Sequence, residues 1–136
     1  MEKNRPTLLV AALIVDDNGR VLLSRHAPYY KWHLPDGEVQ YGETLRVALA
    51  RALGEDFHHA PRVIDDEPWF VAETIRPGGV HYVTHHFRAV IPITKQVHAR
   101  ADLETMFLDL VQGFSTHDVL SSTVAALDAA SWRGLL

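Results

Sequence analysis

Apolar residues fall into short blocks separated by turn residues along most of the chain, and two stretches break that rhythm with helical spacing. Leu8 to Val15 is nearly continuous Leu, Val, Ala and Ile, and Val21-Leu22-Leu23 follows after Asp16-Asp17-Asn18-Gly19. An Asn-Gly pair between two apolar runs predicts a β-hairpin, because both residues tolerate the positive φ that tight hairpin turns require. From Arg25 to Gly42, prolines, aromatics and glycines follow one another without a period. That stretch predicts a loop, and long loops in compact domains tend to carry function. Leu45, Leu49 and Leu53 then recur along one stripe, predicting a helix from Thr44 to about Phe57 with Thr44 as its cap. Gly54 costs that helix about 1 kcal/mol relative to alanine, and Pro61 blocks its continuation. Trp69 to Thr74 and His81 to Ile91 read as strands joined through Arg76-Pro77-Gly78-Gly79, and Thr105 to Leu110 as one more. Ser115 to about Ser131 predicts a closing helix capped by Ser115, with Val119, Thr123, Ala126, Leu127 and Ala130 at helical spacing. Strands on both sides of a long helix, with another helix at the end, predict an α/β fold with a mixed β-sheet between helices.

Composition narrows what such a domain can do. The chain has 136 residues, 47% of them hydrophobic, which suits a single domain over 1–136 with residues 1–5 expected to be disordered. A net charge of −4 argues against a nucleic-acid polymer or a membrane surface as partner, since both require a basic face. Cysteine is absent, which removes disulfides, thiolate metal sites and thiol nucleophiles and fits a cytoplasmic protein. Lys3 and Arg5 before the apolar run outwardly resemble a secretory leader. The run meets Asp16 and Asp17 instead of a small-residue cleavage site and falls short of the roughly 20 residues of a spanning helix, so a buried strand explains it better.

The segment that carries chemistry runs from Trp32-His33-Leu34-Pro35-Asp36-Gly37 through Glu38-Val39-Gln40-Tyr41-Gly42-Glu43-Thr44 into the helix with Arg51, Glu55 and Asp56. It resembles the box of the Nudix family, in which a glycine and a glutamate precede Arg-Glu, an aliphatic residue, a Glu-Glu pair and a final glycine. Gly37, Glu43, Arg51, Leu53 and Glu55 match that pattern, and Asp56 keeps the acidic character of its position. The resemblance implies an α/β/α sandwich. It implies hydrolysis of a nucleoside diphosphate linked to another moiety, with Mg²⁺ or Mn²⁺ as cofactor, Glu55 and Asp56 as metal ligands and Glu55 as a catalytic candidate. It further implies an architectural pairing of Glu43 with Arg51 beside Gly37, and it is compatible with an exchanged-strand homodimer. Hydrolysis of a pyrophosphate link explains the acids, because water must attack phosphorus while the phosphate charge is neutralised by a carboxylate-held ion. Positions 52, 55 and 56 share one helix face, since residues three and four apart are neighbours. Later in the chain Asp102-Leu103-Glu104-Thr105 resembles the acidic residue before a strand in many relatives. Glu104 is therefore a second catalytic candidate, and Asp102 follows it.

Six positions depart from the family pattern, counting Asp56 in place of the second glutamate of the pair and His59 in place of the last aliphatic residue. Ala52 stands where the box has the glutamate after the arginine, and alanine can neither bind a metal nor move a proton. His58 replaces the final glycine, Asp36 replaces the first glycine of the usual Pro-Gly-Gly, and Gln40 stands where glutamate is frequent. Two functions from different classes follow: a hydrolase in which Asp36, Glu38 or Glu104 supplies the missing oxygen, or a Nudix-fold nucleotide-binding or regulatory domain that has lost turnover. Nine histidines raise zinc as an alternative metal through His81, His85 and His86, although strand histidines are more often packing or surface groups. Tyr29, Tyr30 and Trp32 raise base stacking against the simpler reading of loop anchors.

Overall fold

A computed structural model describes residues 5–26, 30–92, 97–113 and 118–136. The expected disorder over 1–5 falls mainly on 1–4, and those residues, Tyr29 and Ser115 lie outside the described ones. The strand β1 (Thr7–Ile14) is central: β3 (Asp36–Glu38) pairs with it antiparallel and β7 (His81–Val90) pairs with it parallel. Beyond β7 lie β5 (Arg62–Val63) and β6 (Phe70–Ile75), both antiparallel to it. A strand with neighbours on both edges and cover on both faces needs apolar residues at every position, which is why Leu8 to Val15 reads as a continuous run.

The alternation along β1 shows the layers. Val10, Ala12 and Ile14 join the core with Ala48, Leu49 and Leu53 of α1 (Leu45–Asp56), whereas Ala11 and Leu13 join Ala126, Leu127 and Ala130 of α2 (Ser121–Trp132). The two helices therefore cover opposite faces of a mixed sheet, as the α/β/α sandwich requires. Thr44 caps α1 by accepting from the Val47 N–H at 3.2 Å.

Three expectations are corrected. The turn between the first two apolar runs forms, with Gly19 at φ 77 and its N–H donating to the Asp16 carbonyl, but the hairpin is a single bridge from Val15 to Val21. The edge of β1 that β2 (Val21–Arg25) would need is taken by β3 and by the Ala12 N–H to Pro35 carbonyl bond, so β2 pairs instead with β9 (Glu104–Leu108). The closing helix starts later than predicted. Trp32 donates to the Asp118 carbonyl and its own carbonyl accepts from Leu120, which holds 118–120 extended and leaves Leu120 as a cap without a side-chain bond. Finally, the predicted loop from Arg25 to Gly42 contains β3, whose Asp-Gly-Glu composition carries no strand signal.

The end of α1 also resolves the absence of a terminal glycine. Phe57 leaves the helix directly in extended conformation, opening β4 (Phe57–His58), which pairs with β8 (His98–Ala99). The left-handed residue falls at His59 with φ 50, a conformation that histidine adopts more readily than most side chains. No helix among the described residues is long and apolar enough to cross a membrane.

Candidate functional site

The loop before α1 is fastened by one arginine. Arg51 donates to the Glu43 carboxylate at 2.7 and 3.0 Å, to the Glu38 carbonyl at 2.7 Å and to Glu55 at 3.1 Å. Glu43 also accepts from the Gln40 N–H at 2.9 Å. These bonds, the Arg51 side chain's first among them, hold the Glu43 carboxyl below its usual range. The same carboxylates raise the Arg51 pKa further above its ordinary value. The expected contact between Glu43 and Arg51 is thus present.

At the very next residue the helix meets β3 at close range. A Cβ placed on Gly37 would lie 2.4 Å from the Ala52 Cβ, so only glycine lets the strand pass over alanine here. This approach leaves Ala52 only 4% exposed, with both residues in the wall of one cavity. That cavity, about 220 Å³, is lined by Asp36, Gly37, Glu38, Gln40, Arg51, Ala52, Glu55 and Asp56 together with His26 and Arg100. Four carboxylates from β3 and the end of α1 face one space. Glu38 and Glu55 are the exposed ones, whereas the Asp56 side chain is 14% exposed.

Burial pushes the Asp56 carboxyl above its ordinary value; Arg100 and His26 draw it back down, and Asp36 and Glu55 push it up again. Arg100 stands 3.5 Å from Asp56 but only 2.9 Å from Asp102, so its charge is divided. Asp36 is likewise pushed up by burial, against the opposing charges of His33, His26 and Arg76. His33 lies 3.6 Å from it. The two aspartates therefore influence each other across the floor of the cavity, with His26 acting on both.

The other candidates lie elsewhere. Glu104, on β9, binds Arg25 at 2.8 Å, and the Arg25 guanidinium sits 4.2 Å over the Trp32 ring. Trp32 thus anchors the loop, with one ring face occupied by Arg25, while Asp102 is spent on Arg100. His81 approaches Glu73 at 3.4 Å, His85 Nδ1 lies 3.3 Å from the Leu9 carbonyl, and His86 Nδ1 lies 3.1 Å from the Phe70 carbonyl. Burial lowers the His86 pKa to about 4, which keeps that ring neutral in the core. Among the described residues, no three His, Asp or Glu groups are arranged to hold a metal ion by themselves.

Sequence reasoning placed Asp36 only as a substitute acid and did not single out His26, Lys31, His33, Arg76 or Arg100. The first four, with Asp36, Leu9, Tyr30 and Leu120, line a second cavity of about 630 Å³ that meets the acidic one at His26 and Asp36. Arg76 reaches it from the β6–β7 turn and Leu120 from the segment before α2, contacts that no local pattern in the chain announces.

Comparison with known proteins agrees with this geometry. The sequence model of the NUDIX domain matches residues 5–129. The RNA pyrophosphohydrolase of Acinetobacter baylyi is 36% identical over 47 residues, a stretch covering 35% of this chain and 28% of that protein. The match thus spans little more than a quarter of that relative's length. The MutT protein from Methanosarcina mazei Go1 superposes with a TM-score of 0.76 at 18% identity, covering 96% of this chain and 97% of that one. A MutT NUDIX hydrolase from Burkholderia pseudomallei gives 0.70 at 24% identity over 93% and 98%. At these identities the superpositions establish the fold.

Proposed function

Since the chain belongs to the Nudix family, we propose that its acidic cavity hydrolyses the pyrophosphate link of a nucleoside diphosphate derivative with Mg²⁺ or Mn²⁺, Asp36 supplying the oxygen missing at Ala52. The observation that carries this reading is the meeting of Asp36 and Asp56 at one cavity floor, with Glu55 and Glu38 at its rim. Two inward carboxyls that are costly to ionise together become favourable when a cation lies between them.

The donor set fits a magnesium-type ion. Magnesium keeps several waters and takes one or two protein carboxylates plus substrate phosphates, so a cage of three or more protein ligands is not required. Asp36 and Asp56 are the proposed holders. Bound there, the ion would offset phosphate charge and make a water molecule more acidic. Glu55 is the proposed acceptor of the proton of the attacking water. Attack at phosphorus breaks the P–O–P link, and the bridging oxygen leaves on the second phosphate. Arg51 keeps Glu55 oriented and the β3 loop in place. Glu104 serves the site through Arg25 and Trp32 as a positioning residue.

The test is release of phosphate or pyrophosphate from a panel of nucleoside diphosphate compounds with Mg²⁺ or Mn²⁺. Turnover that falls about 10²-fold or more in Asp36→Asn supports the reading. Turnover indifferent to Asp36→Asn overturns that residue's role.

One observation favours the second reading, a binding domain without turnover: Ala52 is buried and Glu55 is engaged by Arg51, which leaves two aspartates alone at the floor. Ala52→Glu separates the two. An inactive parent rescued by the substitution marks a site that has lost its chemistry, whereas a fast parent slowed by it marks Asp36 as the replacement.

A further inference from the structure

The larger cavity is polarised in a way the acidic one is not. Lys31 and Arg76 carry fixed positive charge on its wall, His26 and His33 add imidazoles, and Asp36, at the junction with the acidic cavity, is its one carboxylate. Among the described residues neither Lys31 nor Arg76 has a carboxylate in ion-pair range, unlike Arg20, Arg25, Arg46, Arg51, Arg88 and Arg100. Arg76 is held in place without such a partner: its guanidinium lies 4.3 Å over the Tyr82 ring, and its backbone N–H closes the β6–β7 turn on the Val80 carbonyl. A cation held by an aromatic face, with Asp36 acting on it only from beyond ion-pair distance, is prepared for an anion, because little ordering remains to be done on binding.

An uncharged sugar or base would meet a different wall. Trp32, the large aromatic of the loop, is turned to Arg25, which leaves Tyr30, Leu9 and Leu120 as the apolar surface of the cavity. Two cations on a wall whose one Phe, Tyr or Trp ring among the described residues is Tyr30 favour charge over stacking.

We infer that this cavity is a phosphate subsite: it selects nucleotides that carry at least one further phosphate beyond the diphosphate held at the acidic cavity, with Lys31 and Arg76 as the recognising side chains. The inference rests on the hydrolase reading for the placement of the diphosphate, but the subsite belongs to the chain itself and its charge preference does not depend on turnover. A nucleotide spanning both cavities would set its diphosphate against the acids and its additional phosphate between Lys31 and Arg76.

The experiment is calorimetric titration with two non-hydrolysable α,β-methylene nucleotides, a diphosphate and the matching triphosphate, once with Mg²⁺ and once with EDTA. The triphosphate should bind about tenfold more tightly than the diphosphate in both conditions, since one charge-assisted contact to phosphate is worth roughly that factor. Lys31→Met and Arg76→Met should each erase most of the difference, while Arg62→Met, an exposed cation that does not line the cavity, should leave it intact. All three side chains are exposed, so the variants should fold. Equal affinity for the two nucleotides overturns the subsite, as does a preference that Arg62→Met weakens as much as the other two. Retention of the preference in EDTA by a protein with no turnover on any compound would retain the subsite and remove the hydrolase reading. Turnover with no triphosphate preference would do the reverse.

Discussion

The two ends of α1 treat charge in opposite ways. At its start, Glu43 and Arg51 satisfy each other and the neighbouring backbone, and the Glu43 carboxyl is easier to ionise for it. At its end, Asp56 is largely enclosed beside Asp36, where a shared Arg100 and nearby imidazoles offset burial only in part, and both carboxyls are harder to ionise than in water. The first arrangement lowers the energy of the fold; the second is held in place by the fold. Strain of the second kind, in a cavity, is what a functional site looks like before its ligand arrives. Within one helix the contrast separates a self-satisfied charge pair from carboxyls that the fold leaves costly to ionise.

The contrast is broken most forcefully at Asp56. Asp56→Asn should lower Mg²⁺-dependent turnover by about 10²-fold or more while the metal-free protein melts no earlier than the parent, because an amide relieves the penalty that burial imposes on the carboxylate. Turnover and melting temperature measured together decide it. A variant that loses activity and stability together would place Asp56 with the architecture instead.

The next effect concerns the contact of β3 with α1. Gly37→Ala should cost about 1–3 kcal/mol, since its Cβ would meet the Ala52 Cβ at 2.4 Å and the helix cannot retreat without disturbing Leu49 and Leu53 behind it. Ala52→Gly in the same chain should recover much of that loss in chemical denaturation. Additive losses in the double variant would show that the clash is not the cause.

Smaller again is Arg51→Ala, which should lower the melting temperature by about 3–5 °C through loss of its bonds to Glu43 and to the Glu38 carbonyl. The pair is only part-buried, which keeps the effect below that of a fully enclosed ion pair. The loop from Gly37 to Gly42 should become faster in hydrogen exchange, and unchanged exchange there would deny Arg51 its fastening role.

What the sequence discloses follows the same division. Leu45, Leu49 and Leu53, Thr44 as cap, and the Glu43–Arg51 pair are legible because local spacing determines them. The continuous apolar run of β1 reveals burial on both faces, and with it a sandwich. The partners of β1 are hidden, since pairing with β3 and β7 depends on which edges remain open, and an Asn-Gly turn says nothing about that. The same limit applies to the site. Glu55 and Asp56 can be placed on one helix face from their numbers, but Asp36 meets Asp56 only because Gly37 allows β3 across the helix. Lys31 and Arg76 converge through a loop and a distant turn, a juxtaposition created by tertiary structure alone. Glu104 shows the converse: its place at the start of a strand suggests chemistry, and its actual neighbour, Arg25, is set by a strand pairing that local pattern does not announce.

The finest test is the pH dependence of folding in EDTA, where the two ends of α1 should pull in opposite directions. Asp36 and Asp56 have folded pKa values above their ordinary 3.8, so the folded chain binds more protons than the unfolded one between those limits. Their contribution to stability therefore rises as pH falls through the folded values and becomes constant below 3.8. Glu43 behaves oppositely: its folded value lies below its ordinary 4.5, so its contribution is complete above that pH and is lost as pH falls through the folded value. In the double variant Asp36→Asn, Asp56→Asn the first contribution disappears and the second remains. The variant should be the more stable protein at pH 7, and its advantage in melting temperature over the parent should shrink steadily as the pH approaches about 4. An advantage that grew on acidification would mean that His26, His33, Arg76 and Arg100 stabilise the two carboxylates by more than burial costs them. The end of α1 would then belong with its start, as architecture.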